Sequence, residues 1–120
     1  MRDVKAEVQT TLKSSPALVT LLGAKYIYTD TTNNPKQTPR IVLYEISTPD
    51  TDYMDDIPQA YEPTVQASIY SKEPTLAIFI EVDKAMKAAG WRRTYGNETY
   101  EEDTGIYHRP CRYKCKFQYE

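Results

Sequence analysis

From Val65 to Trp91 the chain reads VQASIYSKEPTLAIFIEVDKAMKAAGW, and its hydrophobic period changes partway through. Val65, Ala67 and Ile69 alternate with Gln66, Ser68 and Tyr70, the period of a strand with one buried face. After Ser71, Ile78, Val82, Ala85 and Ala89 recur at helical spacing, and Leu76, Phe79, Ile80 and Met86 widen the stripe. Ser71 is placed to cap this helix and Glu73 to meet its dipole in the first turn. Pro74 is tolerated there because first-turn amides lack intrahelical partners. Gly90 stands where a left-handed residue ends the helix. A strand running into a broad apolar helix needs a sheet for that helix to cover.

The rest of the pattern supplies one. Val4, Val8 and Leu12 predict an amphipathic helix over Asp3–Lys13 with Asp3 as N-cap, and Ser14-Ser15-Pro16 breaks it. Ala17–Leu22 reads as a second short helical turn stopped by Gly23. Tyr26–Tyr28 is a brief strand or edge, and Thr29–Thr38 a polar, turn-rich loop. Arg40–Ser47 is a clear strand. Val42, Tyr44 and Ile46 share one face, Ile41 and Leu43 the other, so its start is expected to be covered on both sides. Thr48–Pro63 reads as a long irregular loop, functional or solvated. Trp91–Glu102 is a strand with a bulge or bend at Gly96-Asn97. Asp103-Thr104-Gly105 turns the chain into a last strand, Ile106–Glu120. There Tyr107, Cys111, Tyr113, Cys115, Phe117 and Tyr119 line one face, with Arg109 the exception; Arg112, Lys114, Lys116 and Gln118 line the other. The fold expected is α+β: one domain over residues 1–120, with an antiparallel sheet of about four strands. A long helix and the N-terminal helix cover one of its faces.

Composition narrows the function classes. A chain of 120 residues can bury a single core, and a net charge of −2 gives no general pull toward nucleic acid. No apolar run approaches the roughly 20 residues needed to span a bilayer, and the charged N-terminus lacks a signal-peptide core. Assembly in a cytoplasm is expected. Cys111 and Cys115 on one strand would lie about 13 Å apart, too far for a disulfide, and free thiols fit a reducing compartment. Eleven tyrosines stand against two phenylalanines. Tyrosine suits a sheet with one wet face, and equally a surface buried against partners.

No catalytic constellation emerges. His108 lies on the polar face of a strand with no acid or thiol at ligand spacing, and Cys111-x-x-x-Cys115 offers too few ligands for zinc. No histidine is placed to activate a nucleophile, and the four glycines are scattered turn residues rather than a phosphate loop. What remains is charge. Asp50, Asp52, Asp55, Asp56 and Glu62 are interleaved with Tyr53, Met54, Ile57 and Tyr61, which makes a docking surface or a solvated loop. A basic row, Arg109, Arg112, Lys114 and Lys116 with Arg92 and Arg93 beside it, fits edge protection or salt bridges to a neighbour's acidic loop. It also fits a phosphate backbone, the reading a small nucleic-acid-binding domain would require.

The helix–proline break, the L-x-x-L-L-G-x-x-x-I-Y segment Leu18–Tyr28, the strand Pro39–Tyr44 (PRIVLY), Ile69-Tyr70-Ser71 before a helix, Gly90-Trp91 and the aromatic-rich last strand form a set. Together they resemble the tail-completion, or tail-terminator, proteins of long-tailed phages and prophages. The likeness spans nearly the whole chain, with the Asp50–Glu62 stretch longer than usual. It implies a small α+β protomer that closes into a hexameric ring on the head-proximal end of the tail tube. Its partners would be copies of itself, the tail-tube protein and the head–tail connector protein, with no membrane, no specific nucleic acid and no cofactor. A head–tail connector or stopper of the neck is the neighbouring reading. The place implied is the virion tail, after assembly in the bacterial host cytoplasm. The contact residues expected are Asp50, Asp52, Tyr53, Asp55, Asp56, Tyr61, Arg112, Lys114 and Lys116, with the 29–38 loop beside them.

Overall fold

The computed structural model describes residues 2–30 and 38–119. The expected contact at the 29–38 loop therefore falls for the most part outside the described residues, as does Glu120.

Three helices lie on one face of a six-stranded sheet. Helix α1 (Val4–Lys13) begins where the Asp3 carboxylate accepts the Ala6 N–H at 3.3 Å, and it buries Val4, Val8 and Leu12. Helix α2 (Pro16–Leu22) is capped by Ser15, starts on Pro16, and stops at Gly23 with φ 85°. Helix α3 (Leu76–Ala88) buries Ile78, Phe79, Val82 and Met86 and is followed by Gly90 at φ 93°. Its start differs from the sequence expectation. Ser71 still belongs to a strand, pairing with Tyr107, and its hydroxyl accepts the Glu73 N–H at 3.1 Å in a local turn. The helix therefore begins only after Pro74, with Thr75 at the N-cap. Leu76 and Ile80, expected to widen the buried stripe, are 56 % and 44 % exposed.

The main sheet contains β1 (Ile27–Thr29), β2 (Arg40–Ser47), β5 (Thr64–Ser71), β6 (Arg92–Gly96), β7 (Thr99–Glu101) and β8 (Ile106–Lys114). Its order is β1-β2-β5-β8-β6, with β7 also on β8. The α+β class and one-sided helical cover stand, but there are more strands than expected. The sheet is also not purely antiparallel, since β1 runs parallel to β2 in the register Ile27↔Ile41. The alternation read from the sequence sets the inner face. Ile41, Leu43, Val65, Ala67, Ile69, Cys111 and Tyr113 pack with the helices into one core. The bulge expected at Gly96-Asn97 falls slightly earlier: register with β8 shifts between Arg93 and Tyr95, and Gly96 ends β6.

Two expectations are corrected. The stretch 48–63 is not irregular. It forms a hairpin, β3 (Asp50–Met54) and β4 (Ile57–Tyr61), paired from Asp50↔Tyr61 to Met54↔Ile57. Asp55 and Asp56 at its turn have φ of 51° and 64°, the double left-handed signature of a tight hairpin turn that aspartate can adopt. The last strand is not continuous either. β8 ends at Lys114, and β9 (Phe117–Gln118) crosses to the hairpin, pairing Tyr61↔Phe117 and Ala60↔Gln118. The polar–apolar alternation runs unbroken through Cys115-Lys116, so it carries no mark of the change of sheet.

Candidate functional site

The β3–β4 hairpin is an arm joined to the body by an aromatic cluster. Phe117 of β9 meets the Trp91 ring edge-on at 5.9 Å, and it meets the Tyr61 ring at 5.6 Å. Tyr61 also packs on Tyr119 at 4.8 Å. Arg2 lies over the Phe117 ring at 4.5 Å. Tyr61 is only 2 % exposed, so this expected contact residue supports the base of the arm rather than its surface. Lys116 reaches Asp52 at 3.2 Å, and the Tyr119 hydroxyl donates to Asp50. That hydrogen bond pushes the Tyr119 pKa up to about 12. Two of the expected acids are therefore engaged within the chain. Toward the tip, Tyr53, Met54 and Ile57 are 64 %, 65 % and 62 % exposed, and Asp55 and Asp56 form no ion pair among the described residues.

The second surface is the outward face of the main sheet, opposite the helices. Register places its residues in rows: Arg40, Tyr70 and His108; Val42, Ser68 and Pro110; Tyr44, Gln66 and Arg112. The first row is a stack. The Arg40 guanidinium lies 4.3 Å over the Tyr70 ring, and His108 is parallel to that ring at 4.4 Å and 2°. This stack flanks Val42, so the expectation that β2 begins covered on both sides holds without a second layer of helices among the described residues. Burial lowers the His108 pKa, with Arg40 adding to the effect and Glu101 opposing it. Its Nε2 is buried without a hydrogen-bond partner among the described residues. Burial also raises the Tyr70 pKa. Arg112 donates to Gln66 at 3.0 Å and stands 5.8 Å from the Tyr95 ring.

The basic row read from the sequence splits in the fold. Arg109 faces inward: it lies 4.6 Å over the Phe79 ring and donates to the Thr75 hydroxyl at 2.9 Å. Thr75 in turn donates twice to Glu98, at 2.7 and 2.5 Å, and these bonds hold the Glu98 pKa below its ordinary value. Arg93 pairs with Asp83 at 3.5 Å and Arg92 with Glu62 at 3.4 Å. Burial raises the Asp83 carboxyl, but hydrogen bonds from Lys87 and Tyr113 outweigh it and the pKa is lowered. Arg112 and Lys114 are left on the outward face without an ion pair among the described residues. Cys111 and Cys115 are free thiols, and burial pushes Cys111 up to about 12. Sequence reasoning placed Met54 and Ile57 in the possible docking stretch but left them out of the contact set, although they bracket the two-residue Asp-Asp turn. The outward positions of Tyr44, Tyr70 and Tyr95 on one sheet face were not brought together, because they come from three strands.

The protomer is thus an α+β domain with a hairpin arm, acidic and apolar at its exposed tip, and an open sheet face rich in tyrosine. The family model described as Tail completion protein gp17 matches residues 6–117, and the chain belongs to that family. It is a structural protein of a phage tail, and its place is the virion tail. Among solved structures it is similar to a chain from "Virion of native gene transfer agent (GTA) particle", with a TM-score of 0.68 and 12 % identity. The match covers 97 % of this chain and 95 % of that one, and at this identity the likeness is one of fold. A search of curated proteins gave no match.

Proposed function

We propose that the protein closes into a ring, a hexamer, on the head-proximal end of the tail tube, ends tube polymerisation there and joins tail to head. The action is associative and not enzymatic. The observation that carries this reading is the arm: a defined hairpin whose apolar tip residues and Asp55-Asp56 are exposed, with no cover among the described residues. Exposed apolar side chains clustered on one projection mark an interaction site. Asp50, Asp52, Tyr53, Asp55 and Asp56 on the arm, with Arg112, Lys114 and Lys116, form the contact set, and Tyr61 holds the arm in place. Family membership and a structural neighbour drawn from a virion both support this role.

The test is polymerisation of tail-tube protein with and without this chain, read by electron microscopy and by mass in solution. The expected result is tubes that stop growing once the protein is added, with a ring on one end. Binding to the connector protein but not to tube ends would replace the terminator with a neck connector.

A further inference from the structure

The geometry points to the seat for the arm: we infer that the Tyr53–Ile57 tip of one copy lies on the outward sheet face of the next, against Tyr44, Tyr70, Tyr95, Arg112 and Lys114. This inference rests on the ring reading and makes it specific. Charge is the first argument. Around the proposed seat the outward positions of β2, β5 and β8 carry Arg112 and Lys114; of the nearby carboxylates, Glu62 is paired with Arg92 and Glu101 lies at the far end of β8, opposite Ile106. The arm's tip carries Asp55 and Asp56, both exposed, and no cation. Complementary potentials of this kind set partner choice and register at an interface. The second argument is apolar area. The sheet face offers tyrosine rings, with Tyr44 and Tyr70 half-buried and Tyr95 44 % exposed, to the exposed Tyr53, Met54 and Ile57. Aromatic residues and arginine are the usual anchors of such contacts.

The third argument is topological. Arm and seat are different parts of one protomer, so each copy gives one arm and receives one, a head-to-tail contact that can close into a ring. Another exposed apolar pair, Leu76 and Ile80 on α3, stands among charges of both signs, Glu73, Glu81 and Lys84. An acidic tip gains no preference there.

The experiment uses two charge-reversed proteins. One carries Asp55→Lys and Asp56→Lys, the other Arg112→Glu and Lys114→Glu. Assembly, alone and on tube protein, is read by mass. Each variant by itself is expected to assemble about tenfold less well or worse, because like charges would meet at every contact. An equimolar mixture is expected to recover, since in an alternating ring every arm meets a face of opposite charge. Thermal unfolding of each variant checks folding, and Tyr44→Glu tests the seat without touching the arm. Rings that form normally from each variant and from Tyr44→Glu would overturn the seat while leaving the ring intact. Loss of assembly in Leu76→Glu, with Arg112→Glu/Lys114→Glu unaffected, would move the seat to the helices. If Arg112→Glu/Lys114→Glu loses salt-dependent duplex DNA binding but keeps full assembly, the face serves nucleic acid and the inference fails. Wild-type protein that stays a monomer even on tube ends would remove the ring reading, and this inference with it.

Discussion

Ile69 and Ile57 are both strand isoleucines, and they differ in exposure from 0 % to 62 %. Ile69 sits mid-sheet on β5, flanked by Ile41 and Arg109 and covered by the helical layer. Ile57 sits beside the turn of the arm, with Met54 opposite it and most of its surface open. The inner face of the sheet uses its apolar side chains for folding, and the tip of the arm keeps its own uncovered. The sharpest way to break this division is to truncate both. Ile69→Ala should cost about 2–5 kcal/mol, the range for opening a cavity in a packed core. Ile57→Ala should change protomer stability by less than about 0.5 kcal/mol, as exposed positions do. Chemical denaturation of the two variants measures both. Equal losses would mean that the arm is part of the folding core.

The same division explains what could be read in the sequence. The body was legible because period, caps and stops agree there. Asp3 before Val4, Val8 and Leu12 gives α1, and Val65, Ala67 and Ile69 against Gln66 and Ser68 give the register of β5. Gly90 gives the end of α3. Arg109 was visible as the one break in its strand's pattern, but not the Thr75 and Glu98 that make an inward arginine tolerable, because they come from distant segments. The arm was illegible for two physical reasons. Its turn is Asp-Asp rather than a glycine pair, so the strongest short hairpin signal is missing. Its third strand is only two residues long, and its pairing with β4 depends on the Tyr61–Phe117 contact rather than on any local pattern. The start of α3 was misplaced because a serine that can cap a helix can equally finish a strand.

His108 offers a second, smaller test, in which body and arm should differ in their response to pH. Burial lowers its pKa in the folded protein, so the unfolded chain takes up the proton first as pH falls. Above the unfolded value of about 6.5 the two states are alike at this residue. Below it, stability is lost until pH passes the folded value. The proton would be added beside Arg40, on a ring stacked against Tyr70, with only Glu101 in its favour. Unfolding midpoints measured from pH 8 to pH 5 should therefore fall through the lower half of that range. His108→Phe keeps a ring on Tyr70 and should flatten this slope; a slope unchanged by the substitution would assign it to other groups. Ile57→Ala changes no titratable group and should leave the slope as it is.

The smallest effect expected is at Asp56, and it separates the two regions by sign. Asp56 holds φ 64° at the second turn position, where a side chain is strained and glycine is not. Asp56→Gly removes that strain, while the freer unfolded chain takes back part of the gain. The net expectation is a stabilisation of a few tenths up to about 1 kcal/mol, a rise in midpoint of a few degrees for a chain of this size. The same substitution deletes one of the two unpaired charges at the tip. If the arm is a docking element, the protomer becomes more stable while ring assembly becomes weaker. A stabilised variant that assembles as well as the parent would show that Asp56 serves only the turn. A destabilised one would show that the aspartate side chain holds the turn by contacts that outweigh its strain.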